Sequence, residues 1–217
     1  MDSAESSEAP SHHGVAPTAV KLLIAGGRGA GKTTFVQTAA SCGVTAIVPG
    51  RCGADDRPAV SAAAIDIGRI SLGPSLLVYL LGLPDHHRSR FAWDDLADNA
   101  IGAVVLADTR QLDGCFAAVD YLEHRRLPFV VAINEFDGVE THPCWSVRDA
   151  LAVRWDTPIV TCDPRRRDAT REILTALLRH AIARAAARPR GGVGRPHRLT
   201  IGTLSSRGHL SARSRNR

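Results

Sequence analysis

The sequence predicts an α/β fold in which helices cover both faces of a mostly parallel β-sheet. Short apolar segments alternate with segments of helical periodicity from Val20 to Ala187, and such alternation is typical of a parallel sheet. A glycine-rich loop, Gly26–Thr33, separates the first apolar segment from the first helical one. In open α/β sheets, ligands bind at the carboxyl ends of the strands. This loop is therefore the first candidate for a binding site.

The predicted elements follow a regular order along the chain. Six aliphatic segments are predicted as strands: Val20–Ala25, Val60–Ile70, Leu76–Leu81, Ala103–Ala107, Phe129–Ile133 and Pro158–Thr161. Five segments are predicted as helices: Lys32–Cys42, Phe91–Asp98, Leu112–His124, Val147–Arg154 and Asp168–Ala187. The last helix has Asp168 as its expected N-cap. Its apolar stripe predicts a buried face, made of Ile173, Leu174, Leu177, Leu178, Ala181 and Ile182.

The link between the second and third strands predicts one exception to the parallel order. Only Ser71–Ser75, which contains Gly73 and Pro74, separates the two apolar segments. A parallel crossover needs about a dozen residues or more, so this pair should form an antiparallel hairpin. The prediction is a sheet with one antiparallel strand and helices on both faces.

The loop Gly26–Thr33 matches the phosphate-binding pattern G-x-x-x-x-G-K-[ST], called Walker A or P-loop, in its strand–loop–helix context. Its backbone N–H groups and the following helix N-terminus can surround a polyphosphate. Lys32 would reach the β- and γ-phosphates, and the Thr33 hydroxyl would ligate Mg²⁺. The predicted nucleotide-binding residues here are Gly26, Arg28, Gly29, Ala30, Gly31, Lys32, Thr33 and Thr34.

Length and composition bound the protein class. A chain of 217 residues with 44% hydrophobic residues is long enough for one domain with tails. We expect a disordered N-terminal tail over 1–17, a nucleotide-binding domain over 18–187 and a basic disordered tail over 188–217. No apolar run reaches membrane-spanning length, and five cysteines without C-x-x-C spacing suggest reduced thiols in a cytoplasmic protein.

The net charge of +5 is concentrated at the C-terminus, where the stretch from Arg184 to Arg217 holds nine arginines and no acidic residue. Such a tail could bind the anionic inner face of a membrane. The alternative, which we favour, is that it is a solvated extension without a partner. We expect no specific nucleic-acid partner. The three tryptophans, Trp93, Trp145 and Trp155, are expected to pack in the fold rather than to form a stacking platform.

A base-reading motif follows the fifth predicted strand. The residues Asn134-Glu135-Phe136-Asp137 look like the N-K-x-D element of GTPases. A carboxylate at Asp137 accepts two hydrogen bonds from guanine, and adenine cannot supply that pair. Asn134 would tie the base loop to the P-loop. Glu135 replaces the usual Lys.

Three further segments, 91–96, 100–110 and 127–138, resemble the Ras-like P-loop GTPases of actinobacterial conservons, usually labelled ATP/GTP-binding proteins. The resemblance runs from about Val20 to Arg184. It implies a Ras-like mixed sheet, GTP or GDP bound with Mg²⁺, and a role in signal transduction. It also implies roadblock-type and sensor-kinase-like proteins as partners. Cys162-Asp163-Pro164-Arg165 matches the family's C-D-A-R base loop, which adds Asp163 to the nucleotide-binding residues.

The chain departs from the family's pattern around the γ-phosphate. The element that reads G-T-P-G-Q in the family is Gly82-Leu83-Pro84-Asp85-His86 here. Asp85 replaces the glycine that contacts the γ-phosphate, and His86, the candidate catalytic residue, stands where the water-orienting glutamine would be. Ala62 occupies the position of a Mg²⁺-ligating threonine. A further departure lies at the base and not at the γ-phosphate: Pro164 replaces the Ala of the family's C-D-A-R loop and has no N–H to offer guanine.

Three functions remain open on the sequence. The first is a small GTP-binding signalling protein, at most a slow GTPase that converts GTP to GDP and phosphate. The second is a pseudo-GTPase scaffold that holds GDP or no nucleotide. The third and weaker one is a P-loop ATPase or kinase, against which Asp137 argues because it would select guanine.

Overall fold

The computed structural model describes residues 17–49, 62–84, 90–135 and 142–187. Apart from Pro17, both predicted tails lie outside these residues, and so do Asp85, His86 and Asp137. The strands are β1 (Thr18–Gly26), β2 (Cys42–Pro49), β3 (Ala62–Ser71), β4 (Leu76–Gly82), β5 (Ala100–Ala107), β6 (Phe129–Asn134) and β7 (Ile159–Cys162). The helices are α1 (Lys32–Ala39), α2 (Arg90–Ala97), α3 (Phe116–His124), α4 (Cys144–Leu151) and α5 (Arg167–Ala187), and a 3₁₀ turn, Leu112–Cys115, precedes α3.

The seven strands form one sheet in the order β2-β3-β4-β1-β5-β6-β7. Strand β1 lies between β4 and β5 and runs parallel to both, and β6 and β7 continue the parallel order. Strand β3 alone runs antiparallel to the others, since it pairs antiparallel with both β2 and β4. The predicted hairpin and the predicted single antiparallel strand are therefore confirmed.

The structure adds one strand to the six predicted ones. Strand β2 begins at Cys42, and two residues lie between it and the end of α1 at Ala39, so the predicted helix Lys32–Cys42 is too long. Its sequence contains Val44, Thr45, Ile47 and Val48, and β-branched residues of this kind are a strand signal. That signal could have found β2, which pairs along its whole length with β3.

Two hydrophobic clusters lie on the two faces of the sheet. Alternate residues of β1, such as Leu23 and Ile24, belong to different clusters, because successive side chains of a strand point to opposite faces. One cluster packs against α2, α3 and α4, including Trp93 and Leu122. The other packs against α1 and α5, including Phe35. The central strands are buried on both faces, as their continuous aliphatic runs predict.

Two tryptophan predictions are wrong. Trp93 is 7% exposed and packs edge-on against Tyr121, with ring centroids 5.2 Å apart, as expected. Trp145 and Trp155, however, are 68% and 85% exposed. The buried face of α4 consists of Val147 and Leu151, and Trp145 lies off that face. Trp155 lies in the turn between α4 and β7.

The apolar stripe of α5 is buried only in its first part. The buried positions of the helix end at Leu177, and Ile182 is 69% exposed. The helix begins at Arg167, one residue before the expected N-cap. Asp168 therefore lies in the first turn, where a carboxylate suits the helix dipole and accepts a hydrogen bond from Arg166 Nη2 at 2.6 Å. Over the described residues, every helix is too short or too polar to cross a lipid bilayer.

His180 on α5 predicts a dependence of folding stability on pH. Its Nε2 atom is buried without a hydrogen-bond partner in the described part of the chain. Burial, and secondly the charge of Arg184, lower the pKa of this imidazole from its ordinary 6.5. The folded state then binds fewer protons than the unfolded state. The contribution of the neutral His180 to folding stability is therefore complete above the ordinary pKa of 6.5. This contribution is lost as the pH falls through the lowered pKa of the folded state.

We expect the midpoint of thermal unfolding to fall when the pH is lowered from about 7 to about 5.5. His180→Gln should reduce that fall, because it removes the titrating ring. The exposed His124 gives the matched control, His124→Gln. The same pH dependence in His180→Gln and in wild type would contradict this assignment.

Candidate functional site

The P-loop lies between β1 and α1, and neighbouring strands hold it in shape. Gly26 ends β1 at φ 142°, and a Cβ there would lie 2.5 Å from the carbonyl oxygen of Leu106 on β5. Gly31 precedes α1 at φ 98°, and a Cβ there would lie 2.7 Å from Nδ2 of Asn134. Both positions therefore require glycine, for their backbone conformation and for the space around them.

Lys32, the P-loop lysine, bends back over the loop. Its Nζ donates hydrogen bonds to the carbonyl oxygens of Gly26 at 2.9 Å and Gly27 at 2.8 Å. The side chain is half-buried rather than extended into solvent. The cation is thus held above the backbone that would surround a phosphate. The other predicted residues of the loop differ in exposure: Arg28, Gly29 and Thr33 are exposed, Thr34 is half-buried and Ala30 is buried.

Asn134 connects the end of β6 with the P-loop. Its Nδ2 donates a buried hydrogen bond of 2.9 Å to the carbonyl oxygen of Ala30. Asn134 and Ala30 are 4% and 1% exposed, so the bond is shielded from water. The tie between the two loops, expected from the sequence, is present. The role of Asn134 in nucleotide binding stays a prediction.

Asp163 follows β7 in the turn that would face the base. Its carboxylate accepts hydrogen bonds from Nε and Nη2 of Arg165 at 2.9 and 3.0 Å, and one from the Arg165 backbone N–H at 3.0 Å. The side-chain bonds with Arg165 hold the pKa of Asp163 below its usual range. The adjacent Pro164 is buried, and its Cγ would lie 3.3 Å from a Cβ on Gly31. The turn therefore packs directly on the P-loop.

The segment Leu112–Cys115, predicted as the start of a helix and not as part of the site, is a 3₁₀ turn that forms another wall of the site. The 3₁₀ turn after β5 packs on the P-loop, where a Cβ on Gly114 would lie 2.9 Å from Cα of Gly27. Cys115 is buried beside it and donates from Sγ to the carbonyl oxygen of Leu106. The pair Asp113-Gly114 is a turn signal that could have marked this segment. Its distance from Gly27 in sequence hid the contact.

Asp66 of β3 also joins the site and was not among the predicted site residues. Its Oδ2 accepts a hydrogen bond of 2.5 Å from Oγ1 of Thr33. The two residues are 33 positions apart in sequence. The pairing of β3 with β4, and of β4 with β1, brings them together. The structure thus places Lys32, Thr33, Asp66, Asn134 and Asp163 around one loop.

Comparisons with known proteins agree with this geometry at the level of the fold. No protein-family model and no curated protein sequence matches the chain. The G domain of the T. maritima FeoB iron transporter is similar in structure, with a TM-score of 0.55 and 16% identity over 76% of this chain and 99% of that one. The Arl6 BBS3 small GTPase from Trypanosoma brucei, solved with the nucleotide analogue GppNp, gives the same four values.

A third similar structure is the FeoB G domain from Methanococcus jannaschii, with a TM-score of 0.50 and 13% identity over 76% of this chain and 98% of that one. The chain thus has the Ras-like P-loop GTPase fold, a mixed sheet with one antiparallel strand and helices on both faces.

Asn134→Ala should destabilise the protein by about 1–3 kcal/mol, because it leaves the buried carbonyl of Ala30 without its donor. Urea unfolding without nucleotide measures this change. Glu135→Ala, at the adjacent exposed position, is the control and should change stability by less than about 0.5 kcal/mol. Equal stability of Asn134→Ala and wild type would mean that the bond contributes nothing to the loop.

Proposed function

We propose that the protein binds guanine nucleotides as a small GTPase-type signalling protein with slow or absent intrinsic hydrolysis. The observation that carries this proposal is the hydrogen bond between Asn134 and Ala30. It fixes the segment that leads to Asp137 against the loop that would hold the phosphates. If Asp137 reads the base, this bond would hold the base-reading segment beside the loop that would hold the phosphates.

Guanine is the favoured base because of the residue types at the base loop. Asp137, which lies outside the described residues, follows Asn134 at the spacing of the N-K-x-D element. A carboxylate there pairs with the N1–H and exocyclic amine of guanine. Asp137 argues against the P-loop ATPase or kinase alternative, because this residue would select guanine over adenine.

Mg²⁺ is the cofactor that the site fits. The Thr33 hydroxyl and the Asp66 carboxylate are hard oxygen donors that lie 2.5 Å apart. The described residues contain no group of three or more His, Cys, Asp or Glu side chains that could hold a metal. Mg²⁺ is usually bound by one or two protein ligands together with substrate phosphates and water. When bound, the ion would neutralise charge between the β- and γ-phosphates.

Slow hydrolysis follows from three sequence positions near the γ-phosphate. Ala62 has no hydroxyl for the metal. Asp85 would bring a negative charge toward the triphosphate, which should repel it by about a kcal/mol or more. His86 replaces the glutamine that orients the attacking water. All three changes would affect the γ-phosphate end, and none of them falls in the loop Gly26–Thr33 that would hold the α- and β-phosphates.

The pseudo-GTPase scaffold is the second candidate, and the same three positions favour it. In that case the protein would hold GDP or no nucleotide and act by contact alone. Under either function, we propose roadblock-type and sensor-kinase-like proteins as partners, on the resemblance described above. A cytoplasmic location, with the basic tail 188–217 at an anionic membrane surface, belongs to the same proposal.

We expect fluorescent GDP to bind more tightly than fluorescent ADP, in the presence and in the absence of Mg²⁺. Asp137→Asn should weaken guanine binding and shift the preference toward xanthine, because the carboxamide offers a donor where guanine needs an acceptor. Lys32→Ala is the companion variant and should lose most triphosphate affinity. Equal affinity of wild type for GDP and ADP would reject the base-loop assignment. Nucleotide binding by Lys32→Ala at wild-type strength would favour the scaffold.

Single-turnover hydrolysis of GTP with Mg²⁺ should be very slow or undetectable in the unassisted protein. Asp85→Gly should improve binding of a non-hydrolysable GTP analogue and leave GDP binding nearly unchanged, because only the γ-phosphate meets that position. Hydrolysis at several turnovers per second would equal the rate of an activator-stimulated GTPase. It would show that Ala62, Asp85 and His86 do not stand at the positions of the family pattern assigned to them.

A further inference from the structure

We propose that Asp66 on β3 supplies the carboxylate that helps to hold the Mg²⁺ ion of the bound nucleotide. In P-loop proteins this ion is held by the P-loop Ser or Thr and by an Asp at the end of a neighbouring strand. Here the end of β4 is Gly82, which has no side chain. The inference rests on the proposed nucleotide binding, and it assigns a residue that the sequence pattern did not.

The contact with Thr33 is the first observation. Thr33 Oγ1 donates its hydrogen to Oδ2 of Asp66 at 2.5 Å. A hydroxyl has one hydrogen and two lone pairs. Donation to Asp66 therefore uses the hydrogen and leaves the lone pairs of Thr33 available to a metal ion. The same bond places a carboxylate beside the hydroxyl that would ligate that ion.

The position of Gly82 is the second observation. Strands β3 and β4 are antiparallel, with Ile67 opposite Leu81, so Asp66 lies next to Gly82. A Cβ on Gly82 would lie 3.4 Å from Cβ of Asp66 and 3.5 Å from its backbone nitrogen and oxygen. Side chains from the two positions would thus start from neighbouring points. A carboxylate on Asp66 can reach the region that an acid on Gly82 would serve.

Burial and chemistry agree with this role. Asp66 is half-buried, Thr33 is exposed and Gly82 is buried, so the carboxylate lies at the border between the sheet and the open side of the P-loop. Mg²⁺ prefers carboxylate, hydroxyl and water oxygens. Asp66 thus contacts the same loop end that carries Lys32 and Thr33. The antiparallel strand β3 thereby gains a function beyond extending the sheet.

A Mg²⁺ titration of fluorescent GDP binding, with EDTA as the metal-free condition, tests the proposal. The variants are Asp66→Asn, Asp66→Ala, Asp66→Ala combined with Gly82→Asp, and the control Asp120→Asn on the exposed side of α3. Loss of the carboxylate should raise the Mg²⁺ concentration for half-maximal effect by about 10–100-fold. GDP affinity in EDTA should not fall, because without Mg²⁺ the Asp66 carboxylate has no attraction to the phosphates and would only repel them. Asp120→Asn should behave as wild type.

The isosteric variant separates metal binding from a structural role. Asp66→Asn keeps an oxygen acceptor for the Thr33 hydroxyl but removes the charge. If Asp66 only ties β3 to α1, this variant keeps the wild-type Mg²⁺ dependence. The double variant gives the complementary result, since a carboxylate returned at Gly82 should restore the Mg²⁺ response. Thermal unfolding in EDTA checks that each variant folds. If Asp66→Ala does not fold, the Mg²⁺ titration of Asp66→Asn decides the test.

Three results would overturn the inference. A wild-type Mg²⁺ response in Asp66→Asn would leave only the structural role. A stronger Mg²⁺ response in Asp66→Ala would mean that Asp66 withholds Thr33 from the ion. Wild-type protein that binds no GDP, with or without Mg²⁺, would reject the proposed function itself, and the inference would fall with it. Failure of the two is therefore distinguishable.

Discussion

The close approach of the P-loop backbone to the neighbouring strands is the constraint on which the site depends. The loop has no room for side chains at Gly26 and Gly31, because the Leu106 carbonyl and the Asn134 amide occupy that space. Strand β1 lies between β4 and β5, so the loop at its end is surrounded on both sides. The neighbouring strands and the glycines of the loop therefore set the shape of the loop together.

This constraint links the core to the chemistry. The central strands are buried on both faces, and their alternating side chains fill two separate clusters. A rigid sheet of this kind keeps the ends of β5 and β6 in place, and binding groups need such a support to be positioned accurately. The hydrogen bond from Asn134 to Ala30 then fixes the P-loop relative to the end of β6.

The antiparallel strand β3 has a consequence that a fully parallel sheet would not have. It places the residue opposite the end of β4, Asp66, on the P-loop side of the sheet, within hydrogen-bond distance of Thr33. At the end of β4 stands Gly82, which has no side chain, and the carboxylate next to it comes from Asp66 on the adjacent strand.

Much of the fold could be predicted from local patterns. The P-loop, the hairpin between β3 and β4, and the strand–helix alternation are signals contained within short segments, and the structure has all of them. Strand β2 was missed although its β-branched residues give a local signal, because only Ala40 and Ser41 separate it from α1. The exposed Trp155 was misjudged because residue type alone does not say whether a turn faces the core.

The candidate site divides in the same way. The sequence alone determined the Walker A pattern, with Lys32 predicted at the phosphates and Thr33 at Mg²⁺, because the spacing of these residues within one loop is a local pattern. Only the tertiary structure brought Asp66 and Gly114 to that loop, across 33 residues in the case of Asp66 and Thr33. Those contacts depend on strand order and register, which arise from packing of the whole sheet. They therefore cannot be predicted from the residues of one segment alone.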